Sequence, residues 1–363
     1  MAFDRDSIKN LVVCAFKKTT PDPTKYSVSD VKGAASQALH ELASDYNSYR
    51  RNKYDIFEIM QESYDEVLPK YVEDFMGSFA EIKTVANGQK AQFVRKARGR
   101  QRAKQFITQV GLSGAYESFR LDKDTFEVGG SAIGGAAYID FERYICGDED
   151  ISESAEILLE GLQEAIMGEI QKALIASVNA EDRPTKNVYV GAGFDADAMQ
   201  ELCAIARSYG GGATIFATPE FVAAMGPDAI GLPIFNGTPG YAGATPVYNP
   251  SDIESIARTG YITSFRGNPI VQIPQSYTDE TNEVTQMNPA LAYIFPTGGE
   301  KVVKVVFEGP TQVDDFKGRD RNMEIEAYKK VGVAILTNHN WCVYENTTLA
   351  DTTNYPTKYP IGD

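Results

Sequence analysis

The stretch Asp150–Ala180, DISESAEILLEGLQEAIMGEIQKALIASVNA, constrains this chain more than any other, because it has sustained helical periodicity and no proline. On a helical wheel Ala155, Leu158, Leu159, Leu162, Ile166, Ile170 and Ala173 gather on one side, the pattern of a core-facing stripe. Glu153, Glu156, Glu160 and Glu164 gather on another. Asp150 is placed to cap the first turn with Glu153 three residues on, where acids suit the helix dipole. At ~1.5 Å per residue the helix is about 40 Å long, the width of a small domain. By itself this is an amphipathic core helix with a solvated acidic face. The residues before it change that reading.

From Glu81 the period changes to two. AEIKTVANGQKAQFVRKARGRQRAKQFITQVG reads as a strand, an Asn87-Gly88 turn and a second strand. Lys90, Arg95, Lys96, Arg98, Arg100, Arg102 and Lys104 make seven bases with no acid among them. Arg98, Arg100 and Arg102 alternate, so an extended strand presents them on one face. Further strand-like sequence follows, with Gly129-Gly130 and Gly134-Gly135 as bends. A long basic hairpin thus precedes the acidic helix, and Asp148–Glu169 holds eight acids and no base. Opposite charges on two surfaces of identical copies fit head-to-tail contact, which builds rings or shells. The candidate subunit-interface residues are therefore Lys90, Arg95, Lys96, Arg98, Arg100, Arg102 and Lys104 on one side, and Glu153, Glu156, Glu160 and Glu164 on the other.

The remaining chain supplies scaffold. Leu11–Phe16 is an apolar patch ending in a proline turn. Ser27–Tyr49 reads as a helix, and Lys53–Phe79 as another interrupted at Pro69. After Arg183-Pro184 come strand NVYVG, helix DADAMQELCAIARSYG, strand ATIFAT and helix PEFVAAM. A glycine- and proline-rich loop spans Gly226–Pro250, and a strand pair turns at Gly267-Asn268-Pro269. ALAYIFPTGG, KVVKVVFEGP and MEIEAYKKVGVAILTNHNWCVYEN are strand-rich, the last two joined by a charged loop through Asp314, Asp315, Lys317, Arg319, Asp320 and Arg321.

A net charge of −15 argues against a general binder of nucleic acid or anionic membranes. No apolar run approaches the ~20 residues that span a bilayer. Cys14, Cys146, Cys203 and Cys342 are scattered with no CxxC pair, and MAFDRDSIKN lacks signal-peptide order, so reduced thiols are expected. With only His40 and His339, far apart and without patterned partners, histidine-based catalysis and zinc binding have no foundation. The most enzyme-like motif is Gly191-Ala192-Gly193-Phe194-Asp195-Ala196, a GxGxxA turn between strand and helix. Asp195 places a negative charge where a pyrophosphate would sit, and no acid follows about 20 residues on. No catalytic residue, cofactor or metal is expected.

The order and lengths of these elements resemble the major capsid proteins of tailed bacteriophages, the Hong Kong 97 capsid fold that encapsulins also use. Phe79–Gly88 (FAEIKTVANG) leading into the hairpin and Glu160-Gly161-Leu162 in the long helix carry the likeness, as do Gly267–Val271 before Pro274 and Lys330–Ile335 in a late strand. The resemblance implies an α+β fold with an N-terminal arm (1–50) and an extended loop (81–130). It implies a peripheral domain (51–80, 131–185 and 301–363) that includes a spine helix (150–180), and an axial domain (186–300). It also implies a virion shell protein assembled in the host cytoplasm, forming pentamers and hexamers around double-stranded DNA. Its partners would be copies of itself, with scaffold, portal and decoration proteins. DNA would touch the inner surface weakly, and no membrane would be involved. An encapsulin-like compartment is the alternative within the fold. A dinucleotide-dependent enzyme built on the GAGFDA turn is the alternative outside it.

Overall fold

The computed structural model describes residues 5–22, 25–77, 79–95, 124–178, 183–226, 260–273, 287–298, 301–317, 323–335 and 339–349, with shorter pieces between 229 and 285. The chain opens with α1 (Arg5–Phe16), α2 (Val28–Leu42) and α3 (Tyr46–Met76). Strands β1 (Ala80–Val85), β2 (Ala91–Arg95), β3 (Asp124–Val128) and β4 (Ser131–Ile139) follow, then α4 (Phe141–Cys146) and the long α5 (Ile151–Val178). Next come β5 (Val188–Gly191), α6 (Ala196–Gly210), β6 (Gly212–Ala217), α7 (Pro219–Ala224), β7 (Gly231–Pro233) and β8 (Pro246–Tyr248). β9 (Ser264–Phe265), β10 (Asn268–Gln272), β11 (Leu291–Thr297), β12 (Val303–Lys317), β13 (Met323–Ile335) and β14 (Cys342–Asn346) complete it.

Local chemistry sets several boundaries. Ser27 and Asp30 form a reciprocal capping box that starts α2. The single helix expected over Ser27–Tyr49 is two, because Asp45 caps a new helix by accepting from Ser48 N–H at 2.8 Å. The interruption expected at Pro69 does not occur. α3 runs through it, with Val67, Leu68 and Val72 buried around the proline, so packing outweighs the lost backbone donor. Gly147, in the left-handed region at φ 83°, turns α4 into α5. Asp150 then accepts from Ser152 N–H at 2.9 Å.

The strands form a four-stranded sheet, β1-β12-β13-β4, and a six-stranded sheet, β5-β14-β11-β6-β10-β9. β12 and β13 pair antiparallel from Val303↔Ile335 to Lys317↔Met323, with a bulge between Glu308 and Gln312. Asp314, Asp315 and Lys317 thus belong to a strand, where a charged loop was expected; the rest of that expected loop lies outside the described residues. The Asn87-Gly88 turn does not close a hairpin either. β1 pairs parallel with β12, while β2 pairs antiparallel with β3 from Ala91↔Val128 to Arg95↔Asp124. Gly134-Gly135 is no bend but the middle of β4, where a Cβ on Gly134 would lie 2.5 Å from Tyr328 Cβ. The Gly267 turn is formed by Arg266-Gly267, with Asn268 and Pro269 already in β10. β14, last in sequence, sits between β11 and β5 in the six-stranded sheet.

One core joins α1, α2, α3 and α5 to the inner face of the four-stranded sheet. α5 buries Ala155, Leu159, Leu162, Ile166, Met167, Ile170 and Leu174, and Tyr64 of α3 donates to Ala155 O at 2.7 Å across the helix crossing. A second core packs α6 and α7 on the six-stranded sheet through Met199, Leu202, Phe221 and Ile215. An aromatic cluster links the two sheets. Phe79 stacks on Phe295 with centroids 4.3 Å apart and meets Phe216 at 4.4 Å, and Trp341 packs beyond Phe295 at 5.5 Å.

Candidate subunit interface

The hairpin stem is held by its apolar side. Phe93 and Ala91 of β2 and Val128 of β3 are buried on Val306, with Val85 and Ala334 beside them. Lys83 lies over the Phe93 ring at 4.2 Å, and Lys304, buried beneath, pairs with Glu81 at 2.6 Å. Lys90 and Arg95 lie at the two ends of β2 in this stem. Lys90 is exposed, 3.9 Å from the equally exposed Glu127, a pair that contributes about 0–1 kcal/mol. Arg95 closes β2 opposite Asp124. Lys96, Arg98, Arg100, Arg102 and Lys104 lie outside the described residues.

The acids of α5 share the side away from its core stripe, and Glu156 and Glu160 are engaged by lysines of the N-terminal segment. Glu156 accepts from Lys32 of α2 at 2.5 Å, and Glu160 from Lys18, just beyond α1, at 3.0 Å. Glu153 and Glu164 are exposed, and the Glu164 charge helps push up the Tyr71 hydroxyl pKa, whose main cause is burial. The N-terminal helices are therefore docked on α5. Their apolar faces enter the core through Ile8, Val12, Phe16, Val31 and Leu39. Arg5 pairs with Glu58 and Glu62, Lys9 with Glu62, and Lys17 with Glu66 along α3. Lys18 and Lys32 are the partners of the acidic helix face that reasoning from sequence missed. The available signal was that α1 and α2 each carry a one-sided apolar stripe, which must be buried against something.

The GAGFDA turn opens α6 but offers no phosphate cradle. Gly193 N–H donates to Asn346 Oδ1 at 2.9 Å and Asp195 N–H to Tyr344 Oη at 2.7 Å. The Asp195 carboxylate accepts from Asp197 and Ala198 N–H, which holds its pKa below the usual range. Each of these amides has a partner in its own chain, and Asp195 is the N-cap of α6. His40 lies against Tyr144 and His339 against Tyr209, each with ring centroids 5.3 Å apart. Among the described residues no group of His, Cys, Asp and Glu is placed to hold a metal ion. No helix among them is long and apolar enough to cross a membrane.

Residues 7–344 match the family described as "YonB: SPbeta prophage-derived putative capsid protein YonB". The chain belongs to this family. Membership of this family makes the protein a phage capsid protein, and its α+β architecture sets a paired loop stem, a long helix and long late strands in the order expected from the sequence. No curated protein sequence matches the chain. Similar solved structures include the mature capsid of bacteriophage PhiM1, with 11% identity over 76% of this chain and 88% of that one at TM-score 0.48. The capsid of cyanophage P-SCSP1u is 10% identical over 74% and 86% at TM-score 0.47. The SrpI encapsulin of Synechococcus elongatus PCC 7942 is 12% identical over 81% and 92% at TM-score 0.43.

Proposed function

We propose that this capsid protein is the repeating unit of the phage head, assembling in the host cytoplasm into pentamers and hexamers of an icosahedral shell around double-stranded DNA. The observation that carries this is the membership of residues 7–344 in a capsid family. The role is structural, without catalysis or cofactor. Residues 1–50 form the N-terminal arm, 81–130 the extended loop and 186–300 the axial domain. Residues 51–80, 131–185 and 301–363 form the peripheral domain, with β14 lent to the axial sheet. The acidic balance keeps packaged DNA only weakly attracted to the inner wall.

In this reading Arg95, Arg98, Arg100 and Arg102 of one subunit, with Lys90, Lys96 and Lys104, lie over the spine of a neighbour. Glu153 and Glu164 belong to the acidic side of that spine, on which Lys32 and Lys18 hold Glu156 and Glu160 within the subunit. Each exposed pair contributes only about 0–1 kcal/mol, so the contact depends on several acting together and weakens with salt. The test is assembly. Purified protein should form megadalton particles visible by negative-stain microscopy. Replacing Arg98, Arg100 and Arg102 by Glu should leave folded subunits that do not close shells, and Glu153→Lys with Glu164→Lys should partly restore them. A triple-Glu variant that assembles normally at low salt would refute the contact, and small oligomers alone from the unaltered protein would refute the shell.

A further inference from the structure

Two glycine turns flank the hairpin stem, Asn87-Gly88 before β2 and Gly129-Gly130 after β3, and both converge on one side chain. Glu308 stands at the bulge of β12, where the ladder with β13 is broken. Its Oε1 accepts from Gly88 N–H at 2.8 Å, and the carboxylate also accepts from Gly130 N–H. Lys330, opposite it on β13, lies 3.4 Å from Oε1 and donates to Asn87 Oδ1 at 2.8 Å. The second glycine pair approaches the neighbouring strand closely. A Cβ on Gly130 would come within 3.2 Å of Val331 N, and one on Gly332 within 2.3 Å of Gly129 O. Gly309, at φ 68°, packs so that a Cβ would lie 3.1 Å from Asn87 Cβ. Both roots of the loop are thus pressed onto the β12–β13 backbone, with a single carboxylate between them.

We propose that Glu308 is a positioning residue that clamps both roots of the hairpin and so sets the direction in which the basic loop leaves the subunit. A two-stranded stem attached at two glycine turns is free to swing, because glycine restrains its backbone least. Phe93 and Val128 fix one side of the stem. Charge-assisted hydrogen bonds from Gly88 and Gly130 to one acceptor tie its two ends to the same point on a long strand. The clamp's geometry stands on the Gly88 hydrogen bond and on the close approach of Gly130 to the Lys330–Val331 backbone, while its importance for assembly rests on the shell reading given above.

Hydrogen–deuterium exchange on the full chain, read peptide by peptide, tests this in Glu308→Gln and Lys330→Met proteins. Glu308→Gln keeps the side-chain shape but loses the charge. It should speed exchange across 86–90 and 128–131 by about tenfold, leave α5 and the buried part of β13 unchanged, and give irregular or fewer shells by negative stain. Lys330→Met, which leaves both N–H donors their acceptor, should have a smaller effect on the same peptides. Unchanged exchange at both roots in Glu308→Gln overturns the clamp. Faster exchange with shells indistinguishable from those of the unaltered protein overturns its positioning role. If the unaltered protein forms no particles, the shell reading fails, and exchange alone then decides whether the clamp exists.

Discussion

Replacing Asp65 by Ala should destabilise the subunit by about 3–4 kcal/mol, and the structure shows why the cost is this large. Asp65 sits on α3 and reaches the bulge of β12. Its Oδ1 accepts from Thr311 N–H at 2.8 Å, Thr311 Oγ1 at 2.6 Å and Lys329 Nζ at 2.6 Å. The Lys329 side chain is 2% exposed and Thr311 is fully buried, whereas the Asp65 side chain keeps 30% of its surface in water. Removing one partner of a buried pair costs about 3–5 kcal/mol, because the other charge stays buried. Lys329 retains one acceptor, Gly309 O at 2.7 Å, and water reaching the vacated site replaces part of the rest, which places the value at the lower end. Urea unfolding of unassembled subunits, followed by far-UV circular dichroism, gives the change from the midpoint shift at constant slope. The companion Asp65→Leu, Lys329→Met double variant removes both charges and should recover most of the loss, since apolar replacement of a buried pair is often neutral. A loss below about 1 kcal/mol in Asp65→Ala, or a double variant no more stable than the single, would refute the reasoning.

A Cβ added at Gly161 or Gly168 of α5 would meet no heavy atom within 4 Å, so Ala at each should stabilise the isolated subunit by about 1 kcal/mol, seen as a raised urea midpoint. Cys203 and Cys342 are buried and burial pushes their thiols up to about 12, so a thiol reagent should label exposed Cys146 in the native subunit and reach those two only after denaturation. The helix-capping carboxylates Asp30, Asp45 and Asp195 are held below the usual range, chiefly by backbone N–H donation from Ser27, Ser48 and Ala198 respectively. A depressed folded pKa stabilises above the unfolded value. Stability should therefore be full at neutral pH and fall as acid titrates through the folded values, and a urea midpoint that rises below about pH 4 would contradict this.

The elements that sequence revealed best are those whose burial is one-sided over a long stretch. α5 was legible because its stripe repeats over 28 residues, and α6 and β6 because an Asp cap and a short apolar run bracket them. Pairing was not legible. Asn87-Gly88 has the composition of a hairpin turn, yet β1 leaves it to lie parallel to β12, more than 200 residues away in sequence, in the register Val85↔Glu308. Turn chemistry fixes a local reversal and says nothing about which distant strand has a free edge. Pro69 and Gly134-Gly135 misled for a related reason. The backbone preference each expresses is worth a few kcal/mol at most, and the packing of α3 and the close approach of Tyr328 outweigh it.

The candidate interface shows the same limit in its electrostatics. Counting seven bases against eight acids shows a charge asymmetry without saying which acids pair with lysines of their own chain once it folds. Glu156 and Glu160 look equivalent to Glu153 and Glu164 on a helical wheel, because all four share one side of α5. Lys18 and Lys32 distinguish them, and both lie more than 100 residues upstream on a segment whose docking is driven by Val12, Phe16, Val31 and Leu39. Apolar burial thus decides where the N-terminal lysines sit, and their position decides that Glu156 and Glu160 are paired within the subunit. The hairpin's direction is set in the same indirect way, by Glu308 at a strand bulge that no local pattern marks. Surface charge in this protein acquires its meaning from the core beneath it.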